Sequence, residues 1–202
     1  MRRVLIATSN AGKLRDFAGA AAAYGIQIEG LLGFSLLTPA VEDGLTFEAN
    51  ARKKAEQYSL AAPGEVVLAD DSGLEVDALG GAPGVHSARY AAEDPSAAEG
   101  NTDDQANNAK LIRELAGAVE RNGRFVCVIA AARDGQTLGV FHGAAEGVIV
   151  DSPRGGGGFG YDPLFYFPAI DKTFAELSAE EKAKYSHRGQ AFRKFLAWQT
   201  VV

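Results

Sequence analysis

The sequence is poor in sulfur and in histidine. Its 202 residues include one cysteine, one methionine and three histidines. The single thiol, Cys127, excludes an internal disulfide framework or a thiolate metal cluster and fits a reducing compartment. Because Cys127 lies in the apolar run 125–129, we expect it to be a small buried side chain.

Long apolar runs are also missing. The longest stretches without a charge, such as 17–28, hold about a dozen residues, whereas a membrane-spanning helix needs about 20 apolar residues. The opening Met1-Arg2-Arg3-Val4 lacks the apolar stretch and cleavage site of a signal peptide. These features predict a cytoplasmic protein without a membrane partner.

Positive charge is scarce as well. Twenty Lys and Arg residues stand against 26 Asp and Glu residues, which gives a formal charge of −6. This balance argues against long duplex nucleic acid as a partner, because neutralising its backbone needs a basic face. A small phosphorylated ligand remains compatible, since a few cations and one metal ion can invert the field in a cleft. Glycine, in contrast, is abundant at 24 residues, and many glycines sit beside polar residues, where backbone can approach a ligand closely.

The apolar pattern predicts an α/β fold. Strands are predicted at 3–7, 26–32, 66–69, 125–133, 137–142 and 147–150. An alanine-rich helix is predicted to follow Lys13 and to end at about Tyr24, and an apolar stripe predicts a helix beginning near Thr46. Capping residues predict helices beginning at Thr102, Ser178 and Ser186. The Thr102 helix is expected to reach Arg121, after a Gly- and Pro-rich loop over 80–101. Strands occur both with intervening helices and in hairpins, which indicates a mixed sheet. Without a linker or internal repeat, residues 1–202 are expected to form one domain.

The first candidate functional segment is Thr8-Ser9-Asn10-Ala11-Gly12-Lys13, between the first strand and its helix. Backbone N–H groups at a helix start bind anions, and Lys13 adds a positive charge. The segment is not a P-loop, because the first glycine of that motif is missing and Leu14 stands where Ser or Thr belongs. A capped helix start with a solvated Lys13 is the alternative.

The second segment is Asp70-Asp71-Ser72-Gly73, placed directly after a buried strand. Side chains alternate along a strand, so we expect one aspartate to bind Mg²⁺ or orient a water while the other makes structural hydrogen bonds. An Asp-rich turn that caps the strand is the alternative. Glu42 and Asp43, together with Glu48, could supply a second metal ligand, although a surface acidic loop is the simpler explanation.

Two later segments offer nucleotide contacts. In 155–162 the glycines let backbone close over a flat ligand, and Phe159 or Tyr161 could stack on a base, unless this is a floppy loop. Lys182 is expected in the first turn of its helix, where a cation needs a nearby anion. His187 and Arg188 carry donors suited to a keto oxygen or a phosphate, although a solvated helix surface is the simpler alternative.

Seven segments together resemble the inosine triphosphate pyrophosphatase family, in the family's order and over nearly the whole chain. They are Thr8–Lys13, Gly44–Phe47, Ala69–Leu74, Leu79–Gly84, Ser87–Tyr90, Gly158–Pro163 and Ser186–Gly189. The resemblance implies a homodimer whose protomers have two lobes around a long curved mixed β-sheet with flanking helices and an active cleft between the lobes. It also implies Mg²⁺-dependent hydrolysis of ITP, dITP or XTP to the monophosphate and pyrophosphate, which cleanses the nucleotide pool.

Carried over by position, the resemblance makes Asp71 the catalytic base and a metal ligand, and Glu42 is assigned as the second metal ligand. The residues it places on the substrate are Thr8, Ser9, Asn10, Ala11, Gly12, Lys13, Ser72, Phe159, Gly160, Tyr161, Asp162, Lys182, His187 and Arg188. Two positions depart from the family pattern. Ser9 replaces a glycine, and Phe47-Glu48-Ala49-Asn50-Ala51 moves the acid of Phe-x-Glu-Asn-Ala by one place. One place on a helix is roughly 100° of rotation, so the second metal ligand stays open among Glu42, Glu48 and Asp70.

Three other functions remain open, and each would be recognised by its substrates or its products. A pyrophosphatase for other modified or standard nucleotides would differ in its substrate range. A nucleotide-binding module would keep the loops but release no pyrophosphate, and a metal-dependent phosphomonoesterase would release orthophosphate.

Overall fold

The computed structural model describes residues 2–93 and 100–199. Within these ranges the strands are β1 (Arg2–Ile6), β2 (Ile26–Gly30), β3 (Val67–Val76), β4 (Asn122–Arg133), β5 (Gln136–Ile149), β6 (Phe165–Phe167) and β7 (Lys172–Thr173). The α-helices are α1 (Ala11–Ala22), α2 (Phe47–Ser59), α3 (Asp104–Glu114), α4 (Ala179–Tyr185) and α5 (His187–Gln199). None of the helices in this part of the chain is long and apolar enough to cross a bilayer.

The strands form one seven-stranded sheet in the order β2-β1-β3-β4-β5-β6-β7. β1 pairs in parallel with β2 and β3, whereas β6 pairs antiparallel with β5 and β7. The predicted hairpin is confirmed, because β4 and β5 are joined by Asp134 and Gly135, both at positive φ, as a tight two-residue turn requires. The predicted α/β class with a mixed sheet is therefore confirmed.

The chain divides into two compact units, each with its own apolar core. The first unit takes its residues from Met1–Asp71, Cys127–Ala144 and Ala179–Val202, and the second from Ser72–Val126 and Ala145–Ser178. Buried residues of β1, β3, β4 and β5 pack against α1 and α5 in the core of the first unit, where Cys127 is fully buried as expected. In the second unit, Phe125, Phe165 and Phe174 pack with ring centroids 4.6 to 5.5 Å apart. The single functional domain and the cleft between lobes stay predictions.

The prediction that a strand ends before Asp70 was wrong. β3 continues through Asp70 and Asp71 to Val76, and both aspartates are buried. A strand can carry two acids in its interior here because each acid meets a cation from a neighbouring helix: Lys13 for Asp70 and Lys54 for Asp71. Since successive residues of a strand face opposite sides, Asp70 shares the face of Leu68, which packs in the core of the first unit, and Asp71 lies on the other face.

The prediction that 147–150 forms a separate strand was also wrong, because these residues continue the strand that begins at Gln136 and ends at Ile149. The glycines that interrupt its pattern are sites of close packing. At Gly147, a Cβ atom would lie 2.5 Å from the Phe165 ring and 2.6 Å from the Tyr166 carbonyl oxygen. The interruption therefore reflects a close approach between neighbouring strands.

The helix predicted from Thr102 to Arg121 is shorter. Asp103 is its N-cap and accepts hydrogen bonds from the N–H groups of Gln105 and Ala106. The helix ends at Glu114, before Gly117 at φ 83°. The predicted loop before this helix contains a 3₁₀ turn at Gly84–Arg89, and its residues 94–99 lie outside the described ranges.

Candidate active site

The loop between β1 and α1 is shaped by its own side chains. The Thr8 hydroxyl accepts a hydrogen bond from the Asn10 N–H at 3.1 Å, and Asn10 Oδ1 accepts one from the Lys13 N–H at 3.0 Å. Asn10 thereby caps α1. The N–H groups of Ala11 and Gly12 belong to the first turn, where a helix offers them no carbonyl partner. The predicted segment thus presents the positive end of a helix beside the Lys13 side chain.

Asp70 neutralises two cations on one face of β3. Its Oδ2 lies 3.0 Å from Lys13 Nζ and 3.6 Å from Arg188 Nη2, and its side chain is 1% exposed. Burial alone would raise the pKa of Asp70, but Lys13 and Arg188 outweigh it and hold the pKa well below the usual range. Of the two aspartates, one was expected to make structural bonds because side chains alternate along a strand. Asp70 is the one that makes such bonds here.

Asp16, which the sequence reasoning missed, connects two predicted site residues. Its carboxylate lies 2.7 Å from Arg188 Nη1 and 3.4 Å from Lys182 Nζ. The expectation that Lys182 opposes its helix dipole was wrong, because α4 has only seven residues and Lys182 lies in the last turn, where a cation is favourable. The signal for Asp16 was its position three residues after Lys13, which puts both on one face of α1.

Asp71 meets a lysine on the opposite face of β3. Lys54 Nζ lies 2.9 Å from Asp71 Oδ1 and 2.9 Å from Glu42 Oε2. Burial raises the pKa of Asp71 above its ordinary value, although the Lys54 and Lys13 ammonium groups oppose the increase and the Glu42 carboxylate adds to it. Burial alone would lower the pKa of Lys54, but Asp71 and Glu42 hold it above the usual range. Two carboxylates therefore share one buried ammonium group.

Asn50 links Asp71 to the loop that carries Glu42. Its Nδ2 donates to Asp71 Oδ2 at 3.2 Å, and its Oδ1 accepts the Gly44 N–H at 2.8 Å. A Cβ atom at Gly44 would lie 2.6 Å from Asn50 Oδ1, so a side chain there would break this contact. Asn50 and Lys54 are four residues apart in α2, and that spacing was the signal that both face the same target.

Glu48 points to other partners. Its Oε1 accepts a hydrogen bond from Arg52 at 2.8 Å, and its Oε2 lies 3.1 Å from His142 Nε2. Among the three acids left open by the sequence, Asp70 holds cations, Glu48 pairs with Arg52 and His142, and Glu42 shares Lys54 with Asp71. The assignment of Glu42 and Asp71 as metal ligands stays a prediction.

The start of α5 places His187 and Arg188. Ser186 caps the helix as predicted, because its hydroxyl accepts the Gly189 N–H at 3.1 Å. A Cβ atom at Gly143 of β5 would lie 2.0 Å from the His187 carbonyl oxygen, so the two backbones touch without a side chain between them. Burial holds the pKa of His187 well below its ordinary value, with Arg188 and Lys182 adding to the effect, so the imidazole is neutral.

The remaining predicted residues, Ser72 and Phe159–Asp162, belong to the second unit. Tyr161 is 4% exposed, and its hydroxyl donates to the Ser87 carbonyl at 2.8 Å. Its assignment as a substrate contact stays a prediction. Asp162 is buried and accepts the Phe159 N–H at 2.9 Å. Phe159 is half-buried, and its role in stacking on a base stays a prediction.

Glu42 and Asp71 fit a Mg²⁺ ion by their chemistry. Among residues 2–93 and 100–199, no three His, Cys, Asp or Glu side chains converge as a complete metal-ligand set. Mg²⁺ does not need one, because it commonly takes one or two carboxylates and completes its shell with phosphate oxygens and waters. Two carboxylates drawn together around one ammonium group offer oxygen donors of the kind this ion prefers.

Comparison with known proteins gives consistent matches along the chain. The Ham1 family model matches residues 4–198. A dITP/XTP pyrophosphatase of Acidobacterium capsulatum is 50% identical over 194 residues, which cover 95% of each chain. One of Geobacillus kaustophilus is 48% identical over 207 residues, covering 100% of this chain and 97% of the relative. The structure of the Staphylococcus aureus Ham1 protein superposes with a TM-score of 0.80 at 40% identity and 98% coverage of both chains.

Proposed function

This chain belongs to the Ham1 family, and we propose that it is a nucleoside triphosphate pyrophosphatase that hydrolyses ITP, dITP and XTP to the monophosphate and pyrophosphate. Relatives that are 50% and 48% identical to this chain bear the name dITP/XTP pyrophosphatase. Their names confirm the resemblance drawn from the seven sequence segments. The observation that carries the proposal is the Asp71–Lys54–Glu42 cluster in the same compact unit as the Lys13 loop.

The loop between β1 and α1 is suited to neutralise the negative charge of a triphosphate. Lys13 and the first-turn N–H groups of α1 supply positive potential without needing to reorganise, because Thr8 and Asn10 already fix the loop. Lys13 lies near enough to Asp71 and Glu42 to oppose their protonation. A phosphate held by the loop would therefore lie near both carboxylates.

Asp71 is the proposed general base. It takes a proton from a water that attacks the α-phosphorus, the bond from that phosphorus to the bridging oxygen breaks, and pyrophosphate leaves. Asn50 and Lys54 each donate to one carboxylate oxygen of Asp71, which fixes its orientation. A general base contributes about 10² to 10⁴ in rate.

Mg²⁺ is the proposed metal, with Asp71 and Glu42 as its protein ligands. When bound, it would neutralise phosphate charge and lower the pKa of a coordinated water. Lys54 keeps the two carboxylates adjacent, so the ligand pair is already assembled before the ion arrives.

Selection among bases is proposed to follow hydrogen-bond polarity. Hypoxanthine and xanthine present a 6-keto acceptor, and the Arg188 guanidinium carries only donors. Adenine presents a 6-amino donor there, and two buried donors facing each other are a strong basis for rejection. Phe159 is the proposed stacking ring.

The test is incubation with ITP, dITP, XTP, GTP and ATP plus Mg²⁺, with products identified by chromatography. We expect pyrophosphate and the monophosphate from the first three and much slower release from ATP. Orthophosphate as the first product would favour a phosphomonoesterase, and binding without any product would favour a nucleotide-binding module. Equal rates with ATP and ITP would refute the selectivity.

The assembly is proposed to be a homodimer, as the family resemblance implies. Light scattering should then give about twice the 21.2 kDa of one chain. The lack of a nucleic-acid partner stays a prediction that the acidic composition supports. The cytoplasmic location stays a prediction as well.

A further inference from the structure

Helix α3 holds both peptide groups that flank Gly160. Asp104 Oδ2 accepts the Gly160 N–H at 2.7 Å, and Asn108 Nδ2 donates to the Gly160 carbonyl at 3.0 Å. Asp104 and Asn108 are four residues apart, so they lie on one face of α3. A single helix face therefore fixes the orientation of the backbone between Phe159 and Tyr161.

Gly160 has a conformation that needs such support. Its φ is +60°, and a Cβ atom there would meet no atom within 4 Å, so the backbone conformation and not lack of space favours glycine. Its neighbours are fixed too, since Asp162 accepts the Phe159 N–H and Ser87 accepts the Tyr161 hydroxyl. The half-buried Phe159 ring thus projects from a backbone that is held on both sides.

We propose that Asp104 and Asn108 are positioning residues for the nucleobase, because they hold the Gly160 backbone so that Phe159 is preorganised for stacking. The proposal rests on the proposed function. Residues 155–158 are all glycine, and without an anchor such a segment would lose more freedom when a ligand binds. A loop that is already anchored loses less conformational freedom when the ligand binds. The anchor should therefore increase the affinity for the nucleobase and leave the affinity for the phosphates unchanged.

Asn108 offers a variant that separates positioning from folding. Its Oδ1 atom is buried and makes no hydrogen bond within the described part of the chain, so its one direct contact of this kind with the loop is the bond to Gly160. Asn108→Ala removes that bond together with the unsatisfied acceptor, and alanine is the better helix former. We therefore expect the thermal midpoint of the variant to stay at the wild-type value.

The experiment compares wild type, Asn108→Ala and the control Gln105→Ala, which changes an exposed residue of the same helix. KM for ITP and the inhibition constant of IMP should rise about threefold to tenfold in Asn108→Ala, as expected for one lost hydrogen bond. The inhibition constant of pyrophosphate and kcat should stay within about twofold of wild type. Gln105→Ala should match wild type throughout.

The matched pair at Asp104 sharpens the test. Asp104→Asn keeps an oxygen acceptor for the Gly160 N–H and should bind IMP like wild type, whereas Asp104→Ala should bind it more weakly. An unchanged KM in Asn108→Ala, or a parallel loss of pyrophosphate and IMP binding, would overturn the inference.

Direct calorimetric titration with IMP distinguishes this failure from failure of the proposed function. A wild type that binds IMP without hydrolysing ITP would refute the proposed function, and the variants would still decide the positioning role by their IMP affinities. A wild type that binds no IMP would overturn both.

Discussion

Asp70 and Asp71 are adjacent aspartates in strand β3, yet the surroundings of their side chains differ. Asp70 holds Lys13 and Arg188, and these cations lower its pKa despite burial. Asp71 shares Lys54 with a second acid, Glu42, and its pKa is raised. On one face of β3, two cations hold one acid in its charged form, whereas on the other face two acids share the Lys54 ammonium group.

The difference shows how a strand can divide structural and chemical work between adjacent residues. Because the strand directs them to opposite faces, the two aspartates use separate helices for their partners: α1 and α5 for Asp70, α2 for Asp71. Replacing each acid by its isosteric amide should then affect different properties of the protein.

The largest effect is expected on the Asp71 face. Asp71→Asn removes the proposed base, so we expect kcat for ITP to fall by about 10² to 10⁴. The free energy of unfolding should fall less than in Asp70→Asn, because Lys54 keeps Glu42 as a partner. Steady-state kinetics and urea unfolding measure both, and wild-type turnover by this variant would remove Asp71 from the mechanism.

A smaller effect is expected on the Asp70 face, and it should lower the stability of the fold, whereas Asp71→Asn should mainly lower turnover. Asp70→Asn leaves the buried Arg188 and the adjacent Lys13 without this carboxylate, so the free energy of unfolding should fall by about 3 kcal/mol. Asp71→Asn is the matched control in the same urea experiment. If the two variants proved equally stable, the contrast between the faces would be lost.

The smallest effect concerns the second acid. Glu42→Gln removes one proposed Mg²⁺ ligand, and the Mg²⁺ concentration for half-maximal activity should rise by about tenfold or more. Glu48→Gln should leave it unchanged, because Glu48 pairs with Arg52 and His142. A metal titration of activity compares them, and a larger shift for Glu48→Gln would transfer the ligand role to that residue.

The sequence predicted local structure well where turn and cap chemistry are strong. The hairpin predicted from strands 125–133 and 137–142, the Ser186 cap and the strand before Thr8 are all present. It failed at Asp70, where doubled acids indicated a strand end. The strand continues because Lys13, Lys54 and Arg188 neutralise those acids, and cations that are distant in sequence cannot be read from a local pattern.

The candidate site was predicted in the same uneven way. Lys13 and Asp71 stood out because polar residues follow apolar runs there, and Arg188 stood out because it lies at the start of a predicted helix. Asp16 and Lys54 did not, since a charged residue within a helix is usually solvated, and only the packing of α1 and α2 shows that both are largely buried. The burial of Tyr161 also depends on tertiary packing, which a local sequence pattern does not show.

Gly143 illustrates a further consequence of this packing. The hydrogen atom that serves as its side chain is what allows the first turn of α5 to rest on β5. A random-mutagenesis screen for inactive variants should therefore return this position, although it bears no reactive group and takes no part in the reaction. Loss of activity at such a site would report a displaced scaffold, and it should not be mistaken for an additional contact with the substrate.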